Sequence, residues 1–446
     1  MGIANFRLPG VPKTTIYMND RLKNHRCYTK ALSQLFSART LEGVVEPVIG
    51  MPDLTASYGL PVGGILAIDA QKGVISLNAI GGDINCGISL SQTNIPISFV
   101  KTSNNNSSKD LRNLSDVLRR SLREEVKCVK LSEGLLYGAR EFSSPSDTLK
   151  IENQGTLPIS RTDIMTPEIV QIATNQIGTL GGGNHFIDLL YCTDIFNTEL
   201  ATLWDLNKES IQMMLHSGSR GVGSKVREIY SNPDLQEDKI LRIFQPRTFN
   251  TQEGREILES INLASNFAYA NRAILRQVVK KSLEDIFREE ISSRLIYDSG
   301  HNGISLEPSN NGPLLLHRKG SSRAFPKSHP GNVPYYFETG NPIIVPGTLG
   351  TATYVLVGTE KLKETHYSIN HGAGRKFTRG YVESKKGQSR FKENIGDVFV
   401  NLRFKDYCAE TPNAYKDIEE VINTLELNGL VRKVAKFKPF FVYVEK

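Results

Sequence analysis

The stretch Gly81-Gly82-Asp83-Ile84-Asn85-Cys86-Gly87-Ile88 limits what this chain can become more than any other. It follows Val74-Ile75-Ser76-Leu77-Asn78-Ala79-Ile80, an apolar run that predicts a largely buried strand, so the paired glycines turn the backbone and deliver Asp83 and Cys86 together on the far side. A carboxylate and a thiolate confined to one tight loop repel each other unless cations lie between them. Both ionised groups are metal ligands, and a thiolate has lone pairs enough to bridge two ions. Taken alone, the loop also fits a turn around a small buried cysteine.

Composition narrows the setting. The five cysteines, Cys27, Cys86, Cys128, Cys192 and Cys408, are dispersed and form no CxxC pair, which argues against a disulfide framework or zinc ribbon and leaves reduced thiols. The 446 residues suit one large domain or two or three ordinary ones, and 39% hydrophobic with 23% charged residues describes a soluble globular protein. No apolar run approaches a membrane span, the N-terminus has no signal-peptide core, and Phe6 stands where a myristoylation signal wants Ser or Thr. A cytoplasmic location is the expectation. A net charge of +7 and a pI near 9.0 favour anionic partners, nucleic acid or nucleotides among them.

Along the chain, a short apolar strand after Pro47 leads into Met51-Pro52-Asp53, which brings a second acid ahead of the organising loop, and residues 58–67 read as glycine-punctuated strand. Residues 91–110 read as a polar surface loop, and residues 109–126 as an amphipathic helix with Leu111, Leu114, Leu118 and Leu122 on one face. With residues 142–162 again polar, the span 91–162 is expected to be a peripheral insertion. Residues 178–190 repeat the first loop's design of glycines, polar groups and strand, and residues 211–223 invert it, with His216 at a strand end and a basic glycine-rich turn beyond. Such a turn offers backbone N–H groups to an anion, and Arg220 adds a planar fork. Residues 252–294 predict a long helix whose small residues suggest close packing. Residues 342–357 form strand, glycine-hydroxyl turn and strand, suited to a triphosphate but without the lysine of a Walker loop. Residues 412–422 predict a helix and residues 434–444 a last strand.

The chain has eight histidines, and four of them, His185, His216, His301 and His371, stand in strand-end loops crowded with Gly and Asn, where a core histidine has no reason to be. With a bridging thiolate, one Asp, one Cys and three His can hold two divalent ions: Asp83, Cys86 and His185 on one, Cys86, His216 and His301 on the other. Two-metal sites stabilise attacking and leaving oxygens in phosphoryl-type transfer. His371, left outside the ligand set, is then available as a nucleophile on phosphorus. Ligand softness alone allows zinc, iron, cobalt or manganese.

Gly-Gly-Asp-Ile-Asn-Cys-Gly, Gly-Gly-Gly-Asn-His-Phe, His-Ser-Gly-Ser-Arg-Gly, His-Arg-Lys-Gly-Ser-Ser-Arg-Ala-Phe, Pro-Gly-Thr-Leu-Gly-Thr and His-Gly-Ala-Gly-Arg occur in this order, and together they resemble the RtcB family of RNA ligases. The resemblance runs over residues 51–422. It implies one large α+β domain over residues 1–446, with mixed sheets flanked by helices and an active site in glycine-rich strand-end loops. It further implies two Mn²⁺ ions, GTP, a His–GMP intermediate, an archease-type activator, and the joining of RNA 2′,3′-cyclic phosphate or 3′-phosphate ends to 5′-hydroxyl ends in tRNA splicing or RNA repair. A capping enzyme that guanylylates 3′-phosphates without sealing, or a metal phosphoesterase, would use the same ions. Carried onto this chain, Asp83, Cys86, His185, His216 and His301 match metal ligands and His371 the guanylylated histidine. Asn184, His185, Phe186, Ile187, Asp188, His301, Asn302, Pro346, Gly347, Thr348, Leu349, Thr353, His371, Gly372, Ala373 and Gly374 match nucleotide contacts. Arg220 and Arg375 fall where phosphate or RNA is held. Three positions depart from the family: Asp188 stands for the usual Glu, Thr55 and Ser57 stand for the usual His and Gly, and the C-terminal lysine that reads guanine comes into place as Lys446 only after a slip of two residues.

Overall fold

Period-two apolar strands with both faces buried build the centre of the molecule. In the strand Ser210–Ser217, Ile211, Met213 and Leu215 face one hydrophobic core while Met214 faces another, so the strand is covered on both sides. The computed structural model describes residues 3–8, 11–23, 26–100, 108–124, 131–231, 238–384 and 395–445. Among these, one sheet has eight strands: Ser293–Gly300, Gly87–Pro96, Ser210–Ser217, Phe186–Ile195, Val431–Tyr443, Thr353–Gly358 and Pro342–Pro346 in spatial order, with Phe399–Val400 beside Val431–Tyr443. A six-stranded sheet runs Ile3–Leu8, Val11–Tyr17, Val44–Thr55, Val62–Asp69, Leu314–Lys319, Asn302–Glu307. The expected α+β architecture of mixed sheets flanked by helices is what the chain adopts.

Strand pairing explains where the site lies. Gly87 pairs with both Gly300 and Ser217, and Phe186 pairs with His216, so antiparallel neighbours bring the residues at or next to four strand ends to one end of the sheet. Cys86, His185, His216 and His301 therefore meet although they are far apart in sequence. His301 is also the hinge between the sheets, since Ser293–Gly300 belongs to one and Asn302–Glu307 to the other.

The long helix Gln252–Phe287 lies against the inner face of the eight-stranded sheet, with Ile257, Ile261, Ala264, Phe267 and Ala270 in the same core as Ile187, Leu189, Met213 and Leu215. Thr251 caps its start through Gly254 N–H, and Arg288, in the left-handed region at φ 55°, ends it. The helix thus stops seven residues short of the expected 294, because Ser293–Gly300 pairs with Gly87–Pro96 instead. The run at 74–80 is buried as expected, but only Val74–Ile75 is strand. Ser76 Oγ accepts from Ala79 N–H and turns Leu77–Ala79 into a 3₁₀ turn. Burial, not extension, made this run apolar.

Residues 91–96 are interior strand rather than surface loop. Their polar side chains are satisfied across the sheet, Thr93 Oγ1 donating to Ile211 O at 2.7 Å and Gln92 Nε2 to Ser210 Oγ at 2.9 Å, so polarity here does not signal solvent. Asn104 to Ser107 of that expected loop lie outside the described residues. The amphipathic helix follows at Ser108–Glu124. Downstream, the expected basic turn after His216 is the first turn of the helix Arg220–Ile229. Residues 412–422 split into a 3₁₀ turn, Pro412–Ala414, and the Asp417-capped helix Ile418–Leu427, and the last strand starts at Val431. Among the described residues no helix is long and apolar enough to cross a membrane.

Candidate metal and nucleotide site

The organising loop is held from below by polar residues of the long helix. Arg272, fully buried, donates through Nη1 to Asn85 O at 2.7 Å and Ser217 O at 3.2 Å, and pairs with Asp298 at 2.7 Å. Asn271 Nδ2 reaches Ser217 Oγ and Thr179 O, both at 3.1 Å. One helix turn thus fixes the loops that carry Cys86, His185 and His216. The close packing expected of the small residues is present, but the positioning work of Asn271 and Arg272 escaped the sequence reading. Its trace was two polar side chains inside a run of small apolar ones.

Two overlapping groups of donors result. Asp83, Cys86 and His185 form one and Cys86, His216 and His301 the other, each with its donor atoms within 4.8 Å of one another. Cys86 Sγ lies 3.4 Å from His185 Nε2 and 3.1 Å from His216 Nε2, His216 Nε2 is 3.3 Å from His301 Nε2, and Asp83 Oδ2 is 2.7 Å from His185 Nε2. The donor chemistry fits two cations. His185 Nδ1 lies 2.9 Å from Leu180 O and His216 Nδ1 2.8 Å from Asn184 O; a carbonyl only accepts, so Nδ1 carries the proton and Nε2 faces the cluster. Burial, reinforced by neighbouring histidines, pushes His216 and His301 well below the ordinary histidine range, so both are neutral. Burial and then the Asp83 charge push the Cys86 thiol up, while for Asp83 the burial penalty is outweighed by His185 and by Arg220 N–H, which hold the carboxyl down. A thiolate at Cys86 needs cations beside it.

His371 sits on the other side of His301, ring centroids 4.6 Å apart, and its Nδ1 lies 2.9 Å from Oδ2 of fully buried Asp53. In the sequence Asp53 is only an acid that precedes the main loop, and the long gap to His371 conceals the pair. Two further residues clamp it. Thr55 Oγ1 donates to Asp53 O at 2.7 Å and accepts from Arg375 N–H at 3.1 Å, so the threonine that stands for the usual histidine ties the strand to the His371 turn. Buried Lys416 donates through Nζ to Pro52 O at 2.9 Å and Leu54 O at 2.7 Å, and its N–H reaches Gly374 O at 2.9 Å. Gly374, at φ 71°, passes so close that an added Cβ would meet Asp53 O at 2.1 Å.

A cavity of about 550 Å³ opens beside His371. Asn184, His185, Phe186, Asp188, Pro346, Gly347, Thr348, Leu349, Thr353, Gly372, Ala373, Gly374 and Arg375 line it, as does Thr55, one of the departures from the family, and so do Arg379, Glu410 and Tyr415, which the sequence does not single out. Strand alternation turns Ile187 into the core instead. Asn302 is a loop brace, its Nδ2 donating to Asp83 O and its Oδ1 accepting from Gly320 N–H. At the cavity's inner wall Asp188 Oδ1 is buried without a hydrogen-bond partner, and burial raises its carboxyl well above the usual range. Arg375 is braced by Phe377 O at 3.0 Å and Tyr415 Oη at 2.9 Å, which leaves Nη2 without a partner. Arg220 packs its guanidinium over Gly181, where an added Cβ would meet Cζ at 1.7 Å, and its Nε is buried without a partner. Lys446 lies outside the described residues.

A family model described as tRNA-splicing ligase RtcB matches residues 34–445. The chain is 30% identical to a tRNA-splicing ligase RtcB of Thermococcus kodakarensis, over 98% of this chain and 94% of the relative. It is 30% identical to one of Nanoarchaeum equitans, over 96% and 94%, and 29% identical to an RNA-splicing ligase RtcB homolog 1 of Entamoeba dispar, over 93% and 82%.

Proposed function

The chain belongs to the RtcB family, and from that premise we propose that it is an RNA ligase, joining 2′,3′-cyclic phosphate or 3′-phosphate ends to 5′-hydroxyl ends in tRNA splicing or RNA repair, with GTP as co-substrate and two Mn²⁺ ions. The single observation that carries this reading is His371, held by a carboxylate at the junction of a nucleotide-sized cavity and two metal-capable donor groups. Asp83, Cys86 and His185 would hold one ion and Cys86, His216 and His301 the other. Bound there, the ions would neutralise charge on the phosphates and on the attacking and leaving oxygens.

The chain's own groups account for the rest. Asp53 accepts the Nδ1 proton of His371, which leaves the Nε2 lone pair to attack the α-phosphorus of GTP. The N–P bond forms as the bond to pyrophosphate breaks, and the Asp53 carboxylate balances the positive charge that develops on the ring. Arg375, with one nitrogen uncommitted, holds the non-bridging phosphate oxygens. An RNA 3′-phosphate oxygen then attacks the same phosphorus, the N–P bond breaks, and GMP passes to the RNA. Finally the 5′-hydroxyl attacks the RNA phosphorus, loses its proton, and GMP leaves. A cyclic phosphate is first opened by water. Guanine presents N–H donors on its Watson–Crick edge, and hydrogen bonds from them would favour the ionised Asp188 against the burial that raises its carboxyl, so the unpartnered oxygen would accept from guanine. A buried acceptor left unpaired by the wrong base discriminates strongly, which supports GTP over ATP.

Incubation with α-labelled GTP and Mn²⁺ tests the reading. The protein should take up a label that is released by acid and kept in alkali, as a phosphoramidate is, and His371→Ala should lose it while still binding two ions. With RNA carrying a 3′-phosphate and a 5′-hydroxyl, a joined strand is expected. A capped or dephosphorylated end without joining would favour the alternatives, and full labelling of His371→Ala would move the nucleophile elsewhere.

A further inference from the structure

Beside the Gly81-Gly82 turn lies a group of side chains that the reaction above does not use. Tyr58 is a large aromatic residue with 48% of its surface exposed. The guanidinium of Arg227 lies over its ring, Cζ 5.4 Å from the centroid, and among the described residues Arg227 forms no ion pair with a carboxylate. Lys319 rises beneath them and donates to Tyr58 O; it too has no carboxylate partner, and burial together with the Arg227 charge lowers its amine to about 7. A guanidinium without a carboxylate partner thus lies over a half-exposed ring, with a buried amine beneath them. Cationic side chains that neutralise phosphates and an aromatic face that stacks bases are the two components of single-strand recognition.

The position of the group gives it a direction. Arg227 Nη1 would lie 3.4 Å from a Cβ added at Gly82, so the guanidinium rests against the residue before Asp83. Tyr58 directly follows Ser57, which lines the nucleotide cavity. Lys319 directly precedes Gly320, whose added Cβ would stand 3.0 Å from the His371 ring. The group therefore adjoins the loop that carries Asp83 and the strand end beside His371. A strand whose terminal phosphate sits at the cluster would have this group within reach of its preceding nucleotides.

We propose that Tyr58 and Arg227, supported by Lys319, form a subsite for the RNA strand that ends in the 3′-phosphate, with Tyr58 stacking a base near that end and Arg227 holding a backbone phosphate. This rests on the ligase reading above. It adds to that reading which strand lies here and which residues read it.

The test uses the full chain and two short single-stranded RNAs, one ending in a 3′-phosphate and one with a 5′-hydroxyl and no 3′-phosphate, with binding followed by fluorescence anisotropy over a salt series. Tyr58→Ala and Arg227→Ala should each weaken the 3′-phosphate RNA by about 10-fold or more, the range of one base stack or one phosphate contact. Arg227→Ala should lower the slope of log affinity against log salt by about 0.7, whereas Tyr58→Ala leaves it in place. Tyr58→Phe keeps the stacking face and should bind like wild type, although it loses the hydroxyl contact to Arg242 O. In joining assays the KM for RNA should rise with kcat at saturating RNA within about twofold, and the half-saturating GTP concentration should not move. If Arg227→Ala is unstable, Arg227→Gln, which keeps the side chain's length, should give the same slope change. Normal RNA binding by both alanine variants, a Tyr58→Phe as weak as Tyr58→Ala, or weakening confined to the 5′-hydroxyl RNA each overturns the subsite. A wild-type protein that neither binds RNA nor joins ends overturns the ligase reading itself, while one that joins ends as its variants bind normally overturns the subsite alone.

Discussion

Two kinds of histidine meet at the centre of this molecule. His185 and His216 are oriented by backbone carbonyls, Leu180 O at 2.9 Å and Asn184 O at 2.8 Å, whereas His371 is oriented by a carboxylate, Asp53 Oδ2 at 2.9 Å. Every one of these partners fixes the same tautomer and turns Nε2 inward. The difference lies in charge. A ligand histidine shares a lone pair with a cation and stays formally neutral, so a neutral carbonyl suffices; a histidine that forms a bond to phosphorus becomes positive, and a buried carboxylate lowers the cost of that state. The orienting atom thus separates His185 and His216 from the proposed nucleophile, where ring geometry alone does not.

The largest effect that can break this contrast is on the ligand side. Cys86 is shared by both donor groups, so Cys86→Ala should reduce bound Mn²⁺ from two ions to none and abolish labelling by GTP while the thermal unfolding transition persists. Two ions found by elemental analysis in folded Cys86→Ala would end the bridging assignment.

Next comes the carboxylate. Asp53→Asn keeps the shape but removes the charge and can present its amide N–H₂ to Nδ1, so the rate of labelling should fall by about 10³ to 10⁴, as when a histidine's orienting Asp is neutralised elsewhere. Metal content should be unchanged. Labelling of Asp53→Asn at the wild-type rate would show that a carbonyl-like partner is enough and the contrast carries no chemistry.

A smaller effect is expected one layer out. Lys416→Met leaves the Pro52 and Leu54 carbonyls unpaired, which should destabilise the fold by about 1 to 3 kcal/mol and slow labelling roughly 10-fold through a loosened Asp53, with both ions retained. Lys416→Arg should recover part of the rate. A slowed reaction with lost metal would instead point to general disorder of the site.

The smallest effect sharpens the comparison with a histidine outside the site. His317 is fully buried, its Nε2 accepting from Ser76 N–H at 3.1 Å, and burial lowers it to about 4. Because its folded value lies below the unfolded 6.5, its contribution to stability is complete above about pH 6.5 and is lost as pH falls towards 4, up to about 3 kcal/mol. His317→Gln should flatten the decline of Tm over that window and leave joining at neutral pH within a few-fold. An unchanged decline would assign acid sensitivity to other groups.

Much of this was legible because glycine, aspartate, cysteine and histidine in strand-end loops leave a local signature: a chain does not place Asp83 and Cys86 in one tight turn, or His185 and His216 among glycines, to fill a core. The five proposed ligands, His371 and the mixed architecture could be named from that pattern and from the order of six motifs. What could not be read depends on contacts distant in sequence. Asp53 and His371 meet only when the strand Val44–Thr55 is laid beside the turn containing Gly374, and nothing near either residue encodes the distance. Asn271 and Arg272 looked like interruptions in a packing helix until Ser217, Asn85 and Asp298 were brought over them. Ser91, Gln92 and Thr93 looked like loop because polarity is a proxy for solvent, and it misleads where a neighbouring strand supplies the hydrogen bonds. The sequence alone determined which side chains can bind metal or attack phosphorus, since that chemistry belongs to the residue. Tertiary structure decided which partner orients each of them, since a carbonyl or carboxylate acts only within hydrogen-bonding distance, and strand pairing, not sequence spacing, sets that distance.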